Sequence, residues 1–597
     1  MADLPFHDQT DFADADRGFA ARLDPALIRS ADGRIVWNAD AYRFLDHDTP
    51  GSADPSLWRQ SRLCARQGLY EVTDGVWQVR GLDLSNMTLI EGERGVIVVD
   101  PLLSTECAVA ALALYRGYRG PRPVTGVIYT HSHADHYGGV RGVTDGAGIP
   151  IIAPAGFLEH AVAENVYAGT AMVRRGVYMY GLALPISPEG QIGCGLGLTA
   201  SQGTVSLLPP TVDVTTTGQL ETVDGVRIVF QLTPGTEAPA EMNFLLPERH
   251  ALCLAENATH TQHNLGTLRG AQVRDARSWS RYLNQVLDLF VPHAEVAFAS
   301  HHWPTWGRER ITKFVQDQRD LYAYLHDQTL RLINQGLTAA EIAERIELPP
   351  GLETAWNTRG YYGSASHNVK AIYQRYLGWF DGNPAHLWEH PPVEQSRRYV
   401  ECLGGPSATV AMATRYIQDG DLRFAATLLN HAVFASPGHA EARRRLTEVY
   451  TRLGQSAENG VWRNFYLTAA LELTARRTFP AGADTAAPDV LTALTLDQLL
   501  DAVAVRVNGP KAWNESLSID WNLTDTGELR RTTLSNGALI IGPGGPADLS
   551  LRLTKPEFLA VLNGQEPGDH EGDLGVLTRL LNLLDDPDPG FAIVTPG

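Results

Sequence analysis

The sequence predicts an α/β layer arrangement, then an all-α region, then a C-terminal α+β module. Three observations predict this order. From about residue 66 to 307, short β-rich runs such as Gly95 to Val99 alternate with Gly and Pro punctuation and with helical patterns such as TECAVAALALYRGY. Between about 308 and 478 strand signals disappear and amphipathic helix takes over, as in ITKFVQDQRDLYAYLHDQTLRLINQG. Beyond FPAGADTAAPD at 479–489, which reads as a linker by composition, residues 490–597 return to mixed helix and alternating strand.

Each region has its own signature. Residues 1–65 are polar, Asp-rich and weakly periodic, predicting an extended arm or a few short helices lying on another surface. In the helical region, DGDLRFAATLLNHAVFASPGHAEARRRLTEVYTRLG is similar to a tetratricopeptide-type helix pair broken at Pro437, and it predicts a small interaction domain. In the last region, Leu517, Ile519, Trp521 and Leu523 fall on one strand face, and Asp525 to Gly527 supplies turn chemistry.

Composition restricts function. A chain of 597 residues is too long for one hydrophobic core. Its formal charge of −19 gives a field that repels nucleic acid and anionic lipid, so an anionic ligand needs a locally inverted potential. The cysteines at 64, 107, 194, 253 and 402 are scattered without a CxxC, which predicts neither disulfides nor a thiolate site and suits a reducing, cytoplasmic setting. Neither a signal peptide nor a membrane span is expected. The glycine-rich GCGLGLTASQG lacks the GxGxxG order and a flanking βαβ unit, so it is no nucleotide loop.

The chemistry concentrates in TGVIYTHSHADHYGG, where His131, His133, Asp135 and His136 follow an apolar strand. Packed without metal, these groups would repel as imidazolium or leave ring nitrogens unpaired. The spacing lets His131 and His133 reach one ion while Asp135 and His136 reach a second; imidazole and carboxylate suit zinc, and also iron or manganese. Three further apolar runs carry a ligand type just past their ends: Glu237 after VRIVFQLTPG, Glu256 after HALCLA, and His301 with His302 after AEVAFAS. Glu241, four residues after Glu237, shares a face with it if that segment is helical.

These residues resemble the metallo-β-lactamase superfamily, an αββα sandwich with a binuclear site on one edge, and HSHADH is the most specific mark. Where that superfamily commonly has TPGH, this chain has TPGTE. That departure, with AENATHTQHNLGTLRGAQVRD and RGYYGSASHNVKAIYQRYLGWFDGNPAHLW, resembles the alkyl sulfatases, over almost the whole chain. The resemblance implies two Zn2+ per subunit: one on His131, His133 and Glu237, one on Asp135, His136 and His301, with Glu256 bridging or supporting both. It implies hydrolysis of dodecyl sulfate-like or secondary alkyl sulfates by metal-activated hydroxide, His367 as the catalytic histidine, and an aromatic contact at Trp379. It also implies a homodimer formed through the central helices and a sterol-carrier-like C-terminal domain. The substrate is then an anion with an apolar tail. Arg269 and Arg274, aided by Asn264, are the candidate sulfate contacts, because guanidinium forks match sulfate oxygens. The long glycine-rich, apolar segment from Gly176 to Pro210 suits a roof over a tail channel. The rival enzyme reading is a binuclear hydrolase of a thioester, lactone or phosphodiester.

Overall fold

A computed structural model describes residues 4–474 and 488–596, so most of the 479–489 linker expectation lies outside the described residues. Two sheets form the catalytic region. The first has eight strands, in the order Phe19–Ala21, Gly68–Thr73, Val76–Arg80, Met87–Glu91, Val96–Val99, Val124–Ile128, Ile151–Pro154 and Val212–Val214. The second has six, in the order Leu220–Val223, Val226–Leu232, Met242–Leu246, Ala251–Cys253, Val296–Phe298 and Thr305–Trp306.

The sheets face each other across one apolar core, in which Ile97, Val99 and Ile128 meet Phe230, Phe244 and Phe298. Helix Thr105–Arg119 covers the far side of the first sheet through Cys107, Ala111 and Tyr115. Helices Ala276–Leu289 and Arg308–Ile333 cover the far side of the second through Trp279, Leu283, Val315 and Leu321. The result is the αββα sandwich. Val96–Val99, Val124–Ile128 and Ile151–Pro154 run parallel, as do Ala251–Cys253 and Val296–Phe298. Parallel neighbours deliver their C-terminal ends to one rim, where backbone leaves the ladder and side chains converge.

The N-terminal arm is more integrated than its composition suggests. Its helix Thr10–Asp16 is tied down by Asp11 to Arg59 at 2.9 Å and by Asp14 to Arg310, and strand Phe19–Ala21 closes the edge of the first sheet against Gly68–Thr73. Alternation is weak there because a three-residue edge strand shows no period.

The central region is helical, with Leu422–Ala435 and Ala440–Gln455 forming the expected pair and Ser436 to His439 as the break between them. The C-terminal module is α+β: a five-stranded sheet ordered Ala538–Gly542, Glu528–Ser535, Leu517–Leu523, Leu549–Leu553 and Asp569–Gly572, packed by helices including Leu496–Ala504 and Lys555–Leu562. Leu517, Ile519, Trp521 and Leu523 are all buried, each worth about 1.5–3 kcal/mol as a buried apolar side chain. All five cysteines are free thiols. No helix among the described residues is long and apolar enough to cross a membrane.

Candidate metal centre

The rim where the parallel strands end gathers the predicted ligands. Strand Val124–Ile128 runs into His131, which makes an isolated antiparallel bridge with Glu241 and so joins the two sheets at this edge. Asp135 and His136 follow in a single turn of 3-10 helix, Ala134–His136. Glu237 sits in the turn between Val226–Leu232 and Met242–Leu246; Glu256 follows Ala251–Cys253, and His301 follows Val296–Phe298.

Donor atoms of His131, His133, Glu237 and Glu256 lie within 4.8 Å of one another, and those of Asp135, His136 and His301 form a second such group. Glu256 links them. Its Oε2 is 3.4 Å from His131 Nε2, 3.3 Å from His136 Nε2 and 3.2 Å from His301 Nε2. Glu237 Oε2 is 2.7 Å from His133 Nδ1 and 3.1 Å from His131 Nε2, while Asp135 Oδ2 is 3.2 Å from His136 Nε2 and 3.6 Å from His301 Nε2.

The donor set fits metal ions. Three rings are held from behind through Nδ1: His131 at Thr130 Oγ1 (3.0 Å), His136 at Asp100 Oδ2 (3.0 Å) and His301 at the Leu84 carbonyl (3.1 Å). With Nδ1–H donating outward, each Nε2 turns a lone pair inward. The Nε2 atoms of His131, His136 and His301 and Oε2 of Glu237 are buried without a hydrogen-bond partner. Lone pairs facing carboxylates in a buried space repel unless a cation lies between them. Burial and the neighbouring His136 and His133 rings push His131 well below the usual imidazole range.

Three further residues position this set. Asp100, at the end of Val96–Val99, accepts from the Thr130 backbone N–H (2.8 Å), Thr130 Oγ1 (2.7 Å) and Ser300 Oγ (2.6 Å) as well as from His136. His263 Nε2 lies 2.7 Å from Glu256 Oε1. Glu241 accepts the backbone N–H groups of Glu237 (3.0 Å) and Glu256 (3.2 Å), and Thr236 Oγ1 donates to it at 2.5 Å. Burial, with Glu237 beside it, pushes the Glu241 carboxyl up to about 8. Of the two glutamates that the sequence offers, Glu237 lies among the grouped donor atoms and Glu241 braces the backbone of Glu237 and Glu256. The segment between them is a turn, not the helix that would have put both on one face.

Substrate candidates divide. Arg269 lines an apolar cleft with His133, Asp135, Tyr180, Leu182 and Ala200, so the glycine-rich segment does supply one wall. Arg274 is buried and turned inward. Its Nη2 donates to Glu237 Oε1 at 2.6 Å, and its Nη1 to the Asn264 carbonyl at 2.8 Å and to Asn264 Oδ1. The guanidinium that the sequence offers for sulfate is thus hydrogen-bonded to Glu237, and Arg274 also lines a second cleft with His133 and Glu237. Asn264 Nδ2 remains a buried donor without a partner. His367 is buried in the first turn of helix Ala365–Leu377, its Nε2 also unpartnered. Trp379 departs from expectation: it is 75% exposed, its ring packed on Phe380 at 5.5 Å, outside the cleft of its own chain. Gly378, at φ 74°, ends the helix one residue earlier and turns the indole outward.

Three family models match successive parts of the chain. Residues 80–301 match the metallo-beta-lactamase superfamily, 338–476 the alkyl sulfatase dimerisation domain and 484–596 the alkyl sulfatase C-terminal domain. A linear primary-alkylsulfatase from Pseudomonas sp is 46% identical over all of this chain and 91% of its own length. The chain belongs to the alkyl sulfatase family. An alkyl/aryl-sulfatase of Saccharomyces cerevisiae is 43% identical over 100% of this chain and 94% of the relative. The solved structure of a stereoselective inverting sec-alkylsulfatase from Pseudomonas sp. superposes with a TM-score of 0.96 at 40% identity, covering 100% of this chain and 96% of that one. Membership in the alkyl sulfatase family carries the sandwich, the helical region and the C-terminal module together.

Proposed function

We propose that this alkyl sulfatase hydrolyses alkyl sulfate esters to alcohol and inorganic sulfate at two zinc ions per subunit. His131, His133 and Glu237 would hold one ion, Asp135, His136 and His301 the other, with Glu256 shared. The observation that carries the reading is the meeting of unpartnered Nε2 atoms and carboxylates beside an apolar cleft that bears one arginine, Arg269. Ions held there supply Lewis acidity and lower the pKa of water toward neutrality.

The chain's own residues do the rest. Leu84, Leu103, Val173 and Leu182 exclude water from an alkyl tail, and Arg269 places positive charge beside Asp135 and His133 for the sulfate head. Asn264 Nδ2 adds a buried donor, and His367 hydrogen-bonds the ester oxygen that leaves. A homodimer is supported by the match to a dimerisation domain and by the exposed Leu377, Trp379, Leu387 and Trp388 within it.

A substrate panel tests the reading: the metal-loaded chain is offered dodecyl sulfate, a p-nitrophenyl phosphate diester and a thioester. Release of inorganic sulfate, with little turnover of the others, is expected. Turnover of either other substrate without sulfate release overturns it.

A further inference from the structure

His367 is the one candidate catalytic group that comes from the helical region, and its surroundings define its hydrogen-bonding role. Ser364 Oγ caps its helix, accepting the His367 backbone N–H at 3.2 Å. The ring Nδ1 faces the indole Nε1–H of Trp462 at 3.0 Å. An indole nitrogen donates and cannot accept, so Nδ1 must be the acceptor. A neutral imidazole then carries its one proton on Nε2, and an imidazolium would set two N–H donors against each other. Burial also pushes His367 down to about 3, with Lys370 and His263 adding to the effect.

Trp462 is held firmly. It lies in the first turn of helix Gly460–Thr474, whose opening residues grip the catalytic region. Asn459 Nδ2 donates to the carbonyls of Gly360 and Gly363, both at 2.7 Å, in the loop that leads to His367. Buried Arg463 donates to the carbonyls of Ser52 (2.7 Å), Pro188 (2.9 Å) and Gly190 (3.1 Å). Asn464 Nδ2 donates to those of Met179 (3.1 Å) and Gly193 (3.2 Å) in the glycine-rich segment.

We infer that Trp462 is a positioning residue that fixes His367 as the neutral Nε2–H tautomer, making it a hydrogen-bond donor to the departing ester oxygen rather than a proton-transferring acid. The inference deepens the proposed function and rests on its assignment of His367. No proton leaves the ring, and the one that the departing oxygen takes up comes from the water that attacks. The Nε2–H stabilises negative charge as it develops, as a neutral histidine electrophile does elsewhere.

The test uses the full metal-loaded chain with 15N-labelled histidine, the His367 signals being assigned by their loss in His367→Ala. The wild-type protein is expected to show Nδ1 unprotonated and Nε2 protonated. Trp462→Phe, which keeps the ring and removes the N–H, is expected to mix the tautomers and lower kcat about tenfold, with KM and metal content unchanged. In a His367→Ala background the same change should have no further effect on kcat. A wild-type Nδ1–H signal overturns the inference without reference to any variant. So does a Trp462→Phe protein with unchanged tautomer and kcat when His367→Ala is inactive, and the role of His367 then stands. Full activity of His367→Ala removes that role and the inference with it.

Discussion

Replacing Asp100 with asparagine probes how far the metal centre is built from behind its ligands. The carboxylate accepts four hydrogen bonds in a buried position: from the Thr130 N–H and Oγ1, from Ser300 Oγ and from His136 Nδ1. Asparagine keeps one oxygen and presents an NH2 group where the other stood. The Thr130 and Ser300 hydroxyls can rotate to accept from it. The His136 ring cannot, unless its proton moves to Nε2 and removes the lone pair aimed at the metal site. Losing such a carboxylate partner typically lowers metal affinity by ~10–100-fold, or about 1.4–2.7 kcal/mol. Chelator competition followed by calorimetry, with circular dichroism to confirm the fold, is expected to show at least one equivalent of zinc weakened by that factor. A variant that folds and binds every equivalent as tightly as the parent would refute the positioning role of Asp100.

Arg274→Lys should keep the charge but lose the fork that joins Glu237 to Asn264, so metal content and activity are expected to fall together. Arg269→Ala should instead lower kcat/KM for dodecyl sulfate by at least about tenfold with metal retained, which separates the two arginines by metal analysis. Ala200→Trp narrows the cleft and is expected to raise KM for long-chain esters while leaving metal content unchanged. His260, stacked on Trp303 at 4.4 Å, is pushed by burial down to about 3, below its ordinary 6.5. The folded chain then binds fewer protons than the unfolded one between those values, so this histidine costs stability as pH falls through 6.5. Denaturant unfolding should show the parent losing about 1 kcal/mol more than His260→Gln between pH 6.5 and 5.5. Equal pH slopes would contradict the buried, neutral ring.

Ligands that follow a strand in sequence were the readable part of the site. HSHADH announces itself because four donors fall within one turn of chain, and Glu237, Glu256 and His301 share a common signal, an apolar run ending in a ligand. Asp100 carries the same signal at the end of VIVV, and His263 lies in the THTQHNL stretch, but neither falls in a cluster of donors that would mark it. Their roles depend on which ring or carboxylate they back, and that contact spans 36 residues for Asp100 and His136. Trp462 is further removed, 95 residues from His367 on a helix that reads as an interaction element. Arg274 and Trp379 show what a stretch of sequence does not carry: Arg274 hydrogen-bonds to Glu237, and Trp379 is exposed on its own chain. The layer order was legible because periodicity reports which face is buried, whereas a short edge strand such as Phe19–Ala21 has no period to report.

In the proposed function, sulfate release depends on two ions held by these side chains. The measurement that bears on it most directly is zinc titration of the chelator-treated chain, with inorganic sulfate released from dodecyl sulfate as the readout. No release is expected without metal, full release at two equivalents per chain, and none in His133→Ala at any equivalence. Sulfate release by the metal-free chain, or saturation at a single equivalent, would contradict it.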